Sequence, residues 1–205
     1  MRHKDEADAR IWAAAREGTR FFMGTSKVDL ALEAVTRLLD EEQIPYCLVG
    51  AMALNLHGYR RFTEDIDLLV TRAGHQALKA RAIGRGYVEK FPGSKSLRDT
   101  ANNVAIDFLI SGDFPGDGKP KAVVFPDPAV AGARVGSLFL MPLPGLLELK
   151  LASGMTAPHR IKDLADVLEL IRASFLPLEL AEQLDPSVRE KYRELWDAAQ
   201  VSDPN

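Results

Sequence analysis

Three acidic residues carry most of the chemistry this sequence can do. Asp65 and Asp67 are separated by one residue, at the head of the apolar run Leu68-Leu69-Val70. In a β-strand, alternate side chains project to one face, which brings these carboxylates together with their Cα atoms about 7 Å apart. Like charges held side by side cost free energy unless a cation lies between them. A divalent metal carrying a phosphate meets that need, and the pair reads as a metal-dependent nucleotide site. The plainer alternative is one Asp capping a turn and the other solvated at a strand edge. A second β-prone run, Val104-Ala105-Ile106-Asp107-Phe108-Leu109-Ile110, has Asp107 as its only ionisable residue. An acid among β-formers is seldom fully buried unless paired. Laid beside the Asp65 strand, Asp107 completes a cluster of three carboxylates; otherwise it is an edge-strand Asp facing water.

These acids need elements to position them. Ile44 to Val49 is a short apolar strand, and Ala51 to His57 reads as a short helix, with Gly50 at the junction. A glycine there permits an unusual backbone angle and close approach by a ligand. The helix start behind it offers unpaired N–H groups and the positive end of a helix dipole to a phosphate. Gly50 can also be no more than a tight strand-to-helix turn. Gly58 is placed to end the helix in a left-handed conformation. Order along the chain excludes one acidic-pair family: in haloacid dehalogenases the pair follows its apolar strand, whereas here Arg60-Arg61-Phe62-Thr63-Glu64 precedes it and the apolar run follows.

Two cations are candidates for phosphate contacts. Lys150 sits in the strongly apolar segment Leu146-Leu147-Glu148-Leu149-Lys150-Leu151, so it either snorkels to water or meets an anion. Arg61 either contacts phosphate or neutralises the acidic cluster. In the helix expected over 159–173, the residues Ile161, Leu164, Leu168 and Ile171 form an expected core stripe. Lys162 and Asp166 are then i,i+4 neighbours on the other side, worth about 0.3–0.5 kcal/mol as a solvated pair, with a role in the site as the equal alternative.

Taken together, the Gly50-Ala51-x-Ala53, His57-Gly58, Arg61-x-Thr63 and Asp65-Ile66-Asp67 strings resemble the nucleotidyltransferases of the DNA polymerase beta superfamily. They are similar in particular to small bacterial proteins of the AbiEii type, which include toxins of toxin–antitoxin systems. The resemblance covers roughly residues 28 to 172. It implies an α+β (α/β) nucleotidyltransferase fold: a mixed β-sheet with helices packed on it and a helical C-terminal segment. It implies transfer of a nucleoside monophosphate from a nucleoside triphosphate (NTP), ATP among the candidates, to a hydroxyl on RNA, protein or a small molecule. Asp65, Asp67 and Asp107 would be catalytic and hold two magnesium ions, with manganese as the other candidate, about 3.5–4 Å apart. Gly50, Ala51, Arg61 and Lys150 would hold the triphosphate, with Asp163 steadying Lys150. An antitoxin protein enters as a partner on the same resemblance. Ala51 departs from the commoner Gly or Ser and offers phosphate only its N–H. A non-catalytic nucleotide- or partner-binding module that keeps the fold is therefore the competing class.

Composition agrees with an ordinary enzyme. The 205 residues are 46% hydrophobic, enough for one substantial core. A net charge of −3 gives no global attraction to nucleic acid. Cys47 is the only cysteine, which excludes an internal disulfide and suits a reducing cytoplasm. No apolar run is long enough to span a bilayer. Three segments are expected: an N-terminal helical extension (1–25), a nucleotidyltransferase core (26–155) and a C-terminal helical segment (156–205). Helices are expected at 5–18, from a Ser26/Asp29 capping box to about 41, and at 51–57, 73–85, 143–153 and 159–173, with a last one from Pro186. Strands are expected at 44–49, 65–70, 87–91, 103–110 and 136–141, with a mobile Gly- and Pro-rich loop at 111–121.

Overall fold

The computed structural model describes residue 13 and residues 16–201. Of the helix expected over 5–18, residues 5–12, 14 and 15 lie outside the described residues, while residues 16–22 are helical. Helix α1 (Lys27–Glu41) begins as its sequence requires. Ser26 is the N-cap: its Oγ accepts from the Asp29 N–H at 3.2 Å, and the Asp29 carboxylate accepts from the Ser26 N–H at 2.8 Å. The reciprocal bonds satisfy donors that the first turn would otherwise leave bare. Val28, Ala31, Leu32, Val35 and Leu39 are buried on one face of this helix, and Leu38 is half-buried against the same core.

Strand β1 (Tyr46–Val49) is buried throughout and leads directly into helix α2 (Gly50–Leu56). Strand β2 (Asp65–Val70) and helix α3 (Arg72–Ala82) follow. Helix α3 is shorter than expected, because Ile83 turns extended and bridges to Tyr87. Then come β3 (Tyr87–Glu89), β4 (Leu97–Asp99) and β5 (Val104–Ile110). After a long irregular connection lie α4 (Pro128–Ala131), β6 (Ala133–Val135) and β7 (Leu138–Leu140). Helices α5 (Leu143–Thr156), α6 (Ile161–Ser174) and α7 (Pro186–Gln200) complete the chain, with 3-10 turns at Pro158–Arg160 and Leu178–Gln183.

The strands form one mixed seven-stranded sheet in the order β3-β4-β5-β2-β1-β7-β6. The pairs β2–β5 and β1–β7 are parallel; every other neighbouring pair is antiparallel. The α+β class with helices on a mixed sheet is therefore as expected. Alternation in β5 separates the two faces: Phe108 contacts His75 of α3, with ring centroids 5.2 Å apart, while Asp107 faces the opposite way. Strand β2 is an apolar staple, with Ile66, Leu68, Leu69 and Val70 all fully buried. Cys47 lies in the same core, and burial pushes its thiol up to about 12, so it behaves as a small apolar side chain.

The C-terminal helices share this core. Tyr192 of α7 is fully buried and donates to the Pro177 carbonyl at 3.0 Å. Trp196 Nε1 donates to the Leu176 carbonyl at 2.9 Å. The expected α6 stripe holds only in part: Ile171 is buried and Leu164 packs against the core, but Ile161 is 71% exposed and Leu168 only half-buried, while Asp166, Val167 and Leu170 are buried. The helix is turned so that an acid enters the interior, and that acid finds two cations there.

The segment 111–121 is irregular, as expected, but it is well bonded. Gly112 N–H and Asp113 C=O both bond to the Phe125 backbone at 2.9 Å, and Lys121 donates to the Pro115 carbonyl at 2.6 Å. The capping box carries a direct test of how far local bonds support α1. Ser26→Ala removes both the side-chain acceptor and its bond to Asp29 and is expected to cost about 1 kcal/mol, read from the shift in urea midpoint at unchanged slope.

Candidate active site

Pairing of β2 with β5 assembles the acids. In the parallel register Asp67 is the direct partner of Asp107, and Asp65 of Ala105. Parallel partners project to the same face, so Asp65, Asp67 and Asp107 share one side of the sheet, and all three line a cleft of about 840 Å³. The antiparallel neighbour places Val49 beside Asp67, which brings the β1–α2 turn against the same carboxylate. Thr63 Oγ1 donates to Asp65 Oδ1 and fixes that carboxylate before the strand begins.

Gly50 has a specific reason to be glycine. Its φ is +63°, and a Cβ there would fall 1.8 Å from Oδ2 of Asp67. The close neighbour that the turn must accommodate is therefore this chain's own catalytic-type carboxylate. Any side chain at position 50 would displace Asp67, besides being strained in the left-handed region.

The Asp67 carboxyl is packed among protein atoms at the cleft floor. Burial, and then the charges of Asp65 and Asp107, raise it from the ordinary 3.8 to about 7; Lys150 and Arg160 act in the opposite direction. Desolvation and like charge both disfavour the ionised form. This is the electrostatic signature of a cluster short of positive charge. The donor set, three carboxylates on adjacent strands, is hard and anionic and suits magnesium or manganese. Among the described residues, no group of three His, Cys, Asp or Glu side chains closes tightly enough to enclose a metal ion. The acids converge on the cleft without forming a finished cage.

Behind the cluster lies a buried charge network that the sequence only half disclosed. Lys150 of α5 donates to Asp166 Oδ2 at 2.7 Å and to Asp163 Oδ1 at 3.0 Å. Arg61, in the loop before β2, donates from Nη2 to Asp166 Oδ2 at 3.1 Å, and its Nε lies 2.9 Å from Asp166 Oδ1. Ser153 donates to Asp163 Oδ2 at 2.6 Å. Lys150 and Asp166 are both buried, at 7% and 3% exposure, so neither snorkels nor sits on a solvated face. Lys162, the expected partner of Asp166, is instead exposed at the cleft. Asp163 does hold Lys150, as the resemblance implied; Asp166 was missed because its apolar neighbours suggested a different inward face. Asn55 Oδ1 accepts from the Arg61 N–H at 2.7 Å and so sets the loop that carries it.

The expected site residues Gly50, Ala51, Arg61 and Lys150 all line the same cleft as the three acids. It also carries Lys162, which the sequence offered as the neighbour of Asp166, and Lys90, Lys95 and Arg160, which no motif marked. The only sequence signal of those three was positive charge, at a strand end, in the connection after it and at a helix start. His57 caps α2, with Nε2 2.8 Å from the Met141 carbonyl, and takes no part in the cleft.

No protein-family model matches this sequence, and no curated protein sequence matches it. Among solved structures it is similar to a crystal structure of ANT(2'')-Ia in complex with adenylyl-2''-tobramycin, at 12% identity over 84% of this chain and 98% of that one, with a TM-score of 0.49. It is similar to JHP933 from Helicobacter pylori at 18% identity over 84% of this chain and 89% of that one, with a TM-score of 0.47. A solution structure of the antibiotic-resistance factor ANT(2'')-Ia is similar at 12% identity over 82% of this chain and 89% of that one, with a TM-score of 0.46. Likeness at this level carries no information about the substrate, metal or site residues of this chain. No helix among the described residues is long and apolar enough to cross a membrane.

Two outcomes follow from the electrostatics. Because the folded state holds the Asp67 proton up to about pH 7, against about 3.9 when unfolded, its stabilising contribution is full below about pH 4 and lost as pH rises through 7. In a chelating buffer, Asp67→Asn is expected to unfold at a higher temperature than the wild type at pH 8, the gap closing towards pH 4. A constant gap across that range would contradict the assignment. Separately, Lys150→Met leaves Asp166 with Arg61 alone and is expected to cost about 3 kcal/mol in chemical unfolding; a near-neutral Met would mean that Lys150 contributes only packing.

Proposed function

We propose that this chain transfers a nucleoside monophosphate from a nucleoside triphosphate to an acceptor hydroxyl. The observation that supports it most directly is the pairing of Asp67 with Asp107 across parallel strands, with Asp65 on the same face and Gly50 folded over Asp67. Asp65, Asp67 and Asp107 would hold magnesium or manganese, which when bound supplies charge neutralisation and acidifies a coordinated hydroxyl.

The chain's own residues divide the remaining work. The N–H groups of Gly50 and Ala51 face the phosphates, and Arg160 and Lys162 contribute positive charge from the opposite wall of the cleft. Lys150 and Arg61, held by Asp163 and Asp166, fix the spacing of α5, α6 and the loop before β2 beside the acids. Thr63 holds Asp65 in one orientation. The acceptor oxygen forms its bond to the α-phosphorus as the bond to the bridging oxygen breaks. Pyrophosphate leaves with that electron pair, and the hydroxyl proton passes to Asp107. Ala51 lacks the hydroxyl that Ser would place at the phosphates, so the grip there is by backbone alone.

A finer reading rests on the Gly50-to-Asp67 string: the chain is the toxin of a toxin–antitoxin pair, restrained by an antitoxin protein in the cytoplasm. Both readings meet in one experiment. Purified protein is incubated with magnesium, labelled nucleoside triphosphates and whole-cell extract, and label is followed into RNA, protein and small molecules. Asp65→Asn, Asp67→Asn and Asp107→Asn are each expected to lower incorporation by at least 100-fold while retaining cooperative unfolding, and the same variants to relieve any growth arrest caused by expression. Wild-type incorporation by Asp67→Asn would sink the proposal.

A further inference from the structure

The row of the sheet that carries Asp67 and Asp107 continues past them. Leu97 of β4 pairs with Ile106 of β5, and Glu89 of β3 pairs with Leu97. One residue along, the same register sets Ser96 opposite Asp107 and Lys90 opposite Ser96, and the Lys90 N–H donates to the Ser96 carbonyl at 3.3 Å. Directly opposed residues project to one face of a sheet. Lys90, Ser96, Asp107 and Asp67 therefore form one row across four strands, and all four line the acidic cleft. Neighbouring strands lie about 4.8 Å apart, which sets the Cα of Lys90 about 10 Å from that of Asp107.

Alternation sorts the charges of this hairpin by face. Glu89 points to the opposite side, where it pairs with Lys79 of α3. Asp99 is buried on that side and accepts from the Ala101 and Asn102 N–H groups. Arg98, opposite Ala105, shares the face of Lys90, and its Nη1 donates to the Asn103 carbonyl and Oδ1. Strands β3 and β4 thus give the acid-bearing face two cations and no carboxylate, and the first carboxylate met along the row is Asp107. Lys90 is exposed, and its ammonium has no hydrogen-bond or ion-pair partner among the described residues. Ser96 is half-buried, and its hydroxyl likewise has none. Lys95, by contrast, is taken up by Asp113 at 2.7 Å.

The turn that carries these two side chains is braced from behind. His75 Nε2 of α3 lies 2.8 Å from the Lys95 carbonyl, and Lys79 donates to the Ser94 carbonyl at 3.0 Å. Ser94 Oγ accepts from the Ser96 N–H at 3.0 Å. Lys90 and Ser96 are held at a fixed place beside Asp107.

We propose that Lys90 and Ser96 form the acceptor contact of the cleft, and that the acceptor carries a phosphate close to its reacting hydroxyl. The proposal rests on the transfer reading above and adds the chemical class of the acceptor to it. The hydroxyl lies at Asp107, and the phosphate lies along the row, where the Lys90 ammonium and the Ser96 O–H donate to separate oxygens. Gly50 and Ala51 stand at the other end of the row, beyond Asp67, so the triphosphate and the acceptor phosphate use different donors. A polycationic acceptor would meet Lys90 and Arg98 as like charges.

The probes are ribose 5-phosphate and the dinucleoside monophosphate UpU, with ribose as the uncharged control, followed by amide shifts in the isotopically labelled full chain. Either phosphate is expected to shift Lys90 and Ser96 and to bind at least 10-fold more tightly than ribose. Tighter binding of UpU assigns the phosphate to a polynucleotide end, tighter binding of ribose 5-phosphate to a free sugar phosphate, and both support the contact. Lys90→Glu is expected to lose at least 10-fold in probe affinity and Lys90→Arg to stay within about 3-fold. A non-hydrolysable triphosphate with magnesium should still shift Gly50 and Ala51 in both variants. In the extract assay, Lys90→Glu should raise by at least 10-fold the amount of extract that half-saturates labelling, with the KM for the triphosphate unchanged. Equal binding of ribose, full probe affinity in Lys90→Glu, or a Lys90→Glu defect in triphosphate use alone would each overturn the contact. Absence of triphosphate shifts in the wild type, with probe shifts intact, would instead remove the transfer reading itself.

Discussion

The structure depends on one electrostatic conflict, three carboxylates brought to the same side of β2 and β5. Asp67 takes the worst of it, because it lies directly opposite Asp107, two residues from Asp65, and under the Gly50 turn. A conflict of this kind is tolerable only where charge is also supplied. The response on the protein's side is spatially offset: Lys150 and Arg160 bear on Asp67 through space, and neither bonds to it. An acid left short of partners by its own fold is receptive to a cation.

The network behind the cleft resolves the complementary problem of keeping two cations indoors. Lys150 and Arg61 both reach Asp166, and Asp163 takes a second bond from Lys150. Buried ion pairs give little net stability, because desolvation offsets most of the attraction. Their value here is geometric. Asp166 ties the loop before β2 to helices α5 and α6, so the acidic wall and the basic wall of the cleft are held at one spacing.

Much of this arrangement was legible in the sequence. The capping box at Ser26 and Asp29 and the limits of β2 follow from local bonding or period-two alternation, whereas the sequence left open whether the Asp107 strand lies beside β2. Those signals act over a few residues and survive in any context. The strands Leu97–Asp99 and Ala133–Val135 were not legible, because three residues show no alternation and pair only once a neighbour supplies a template. Asp166 was hidden for a different reason. Its inward face follows from Arg61, more than a hundred positions earlier, and no helical pattern within α6 encodes that. Gly50 was rightly marked, but the atom that crowds it is Asp67 and not a ligand.

The parallel pairing of β2 with β5 has a consequence for how the chain acquires its site. A hairpin can bring neighbours together early, but a parallel pair needs a crossover, and here the crossover contains α3, β3 and β4. Closing so long a connection carries an entropic penalty that contacts between β2 and β5 must outweigh before any ladder forms. Asp67 and Asp107 therefore become neighbours only once β5 has paired with β2 across that connection. An unfolded chain has the acids but not the cluster, which exists only where the central sheet is complete.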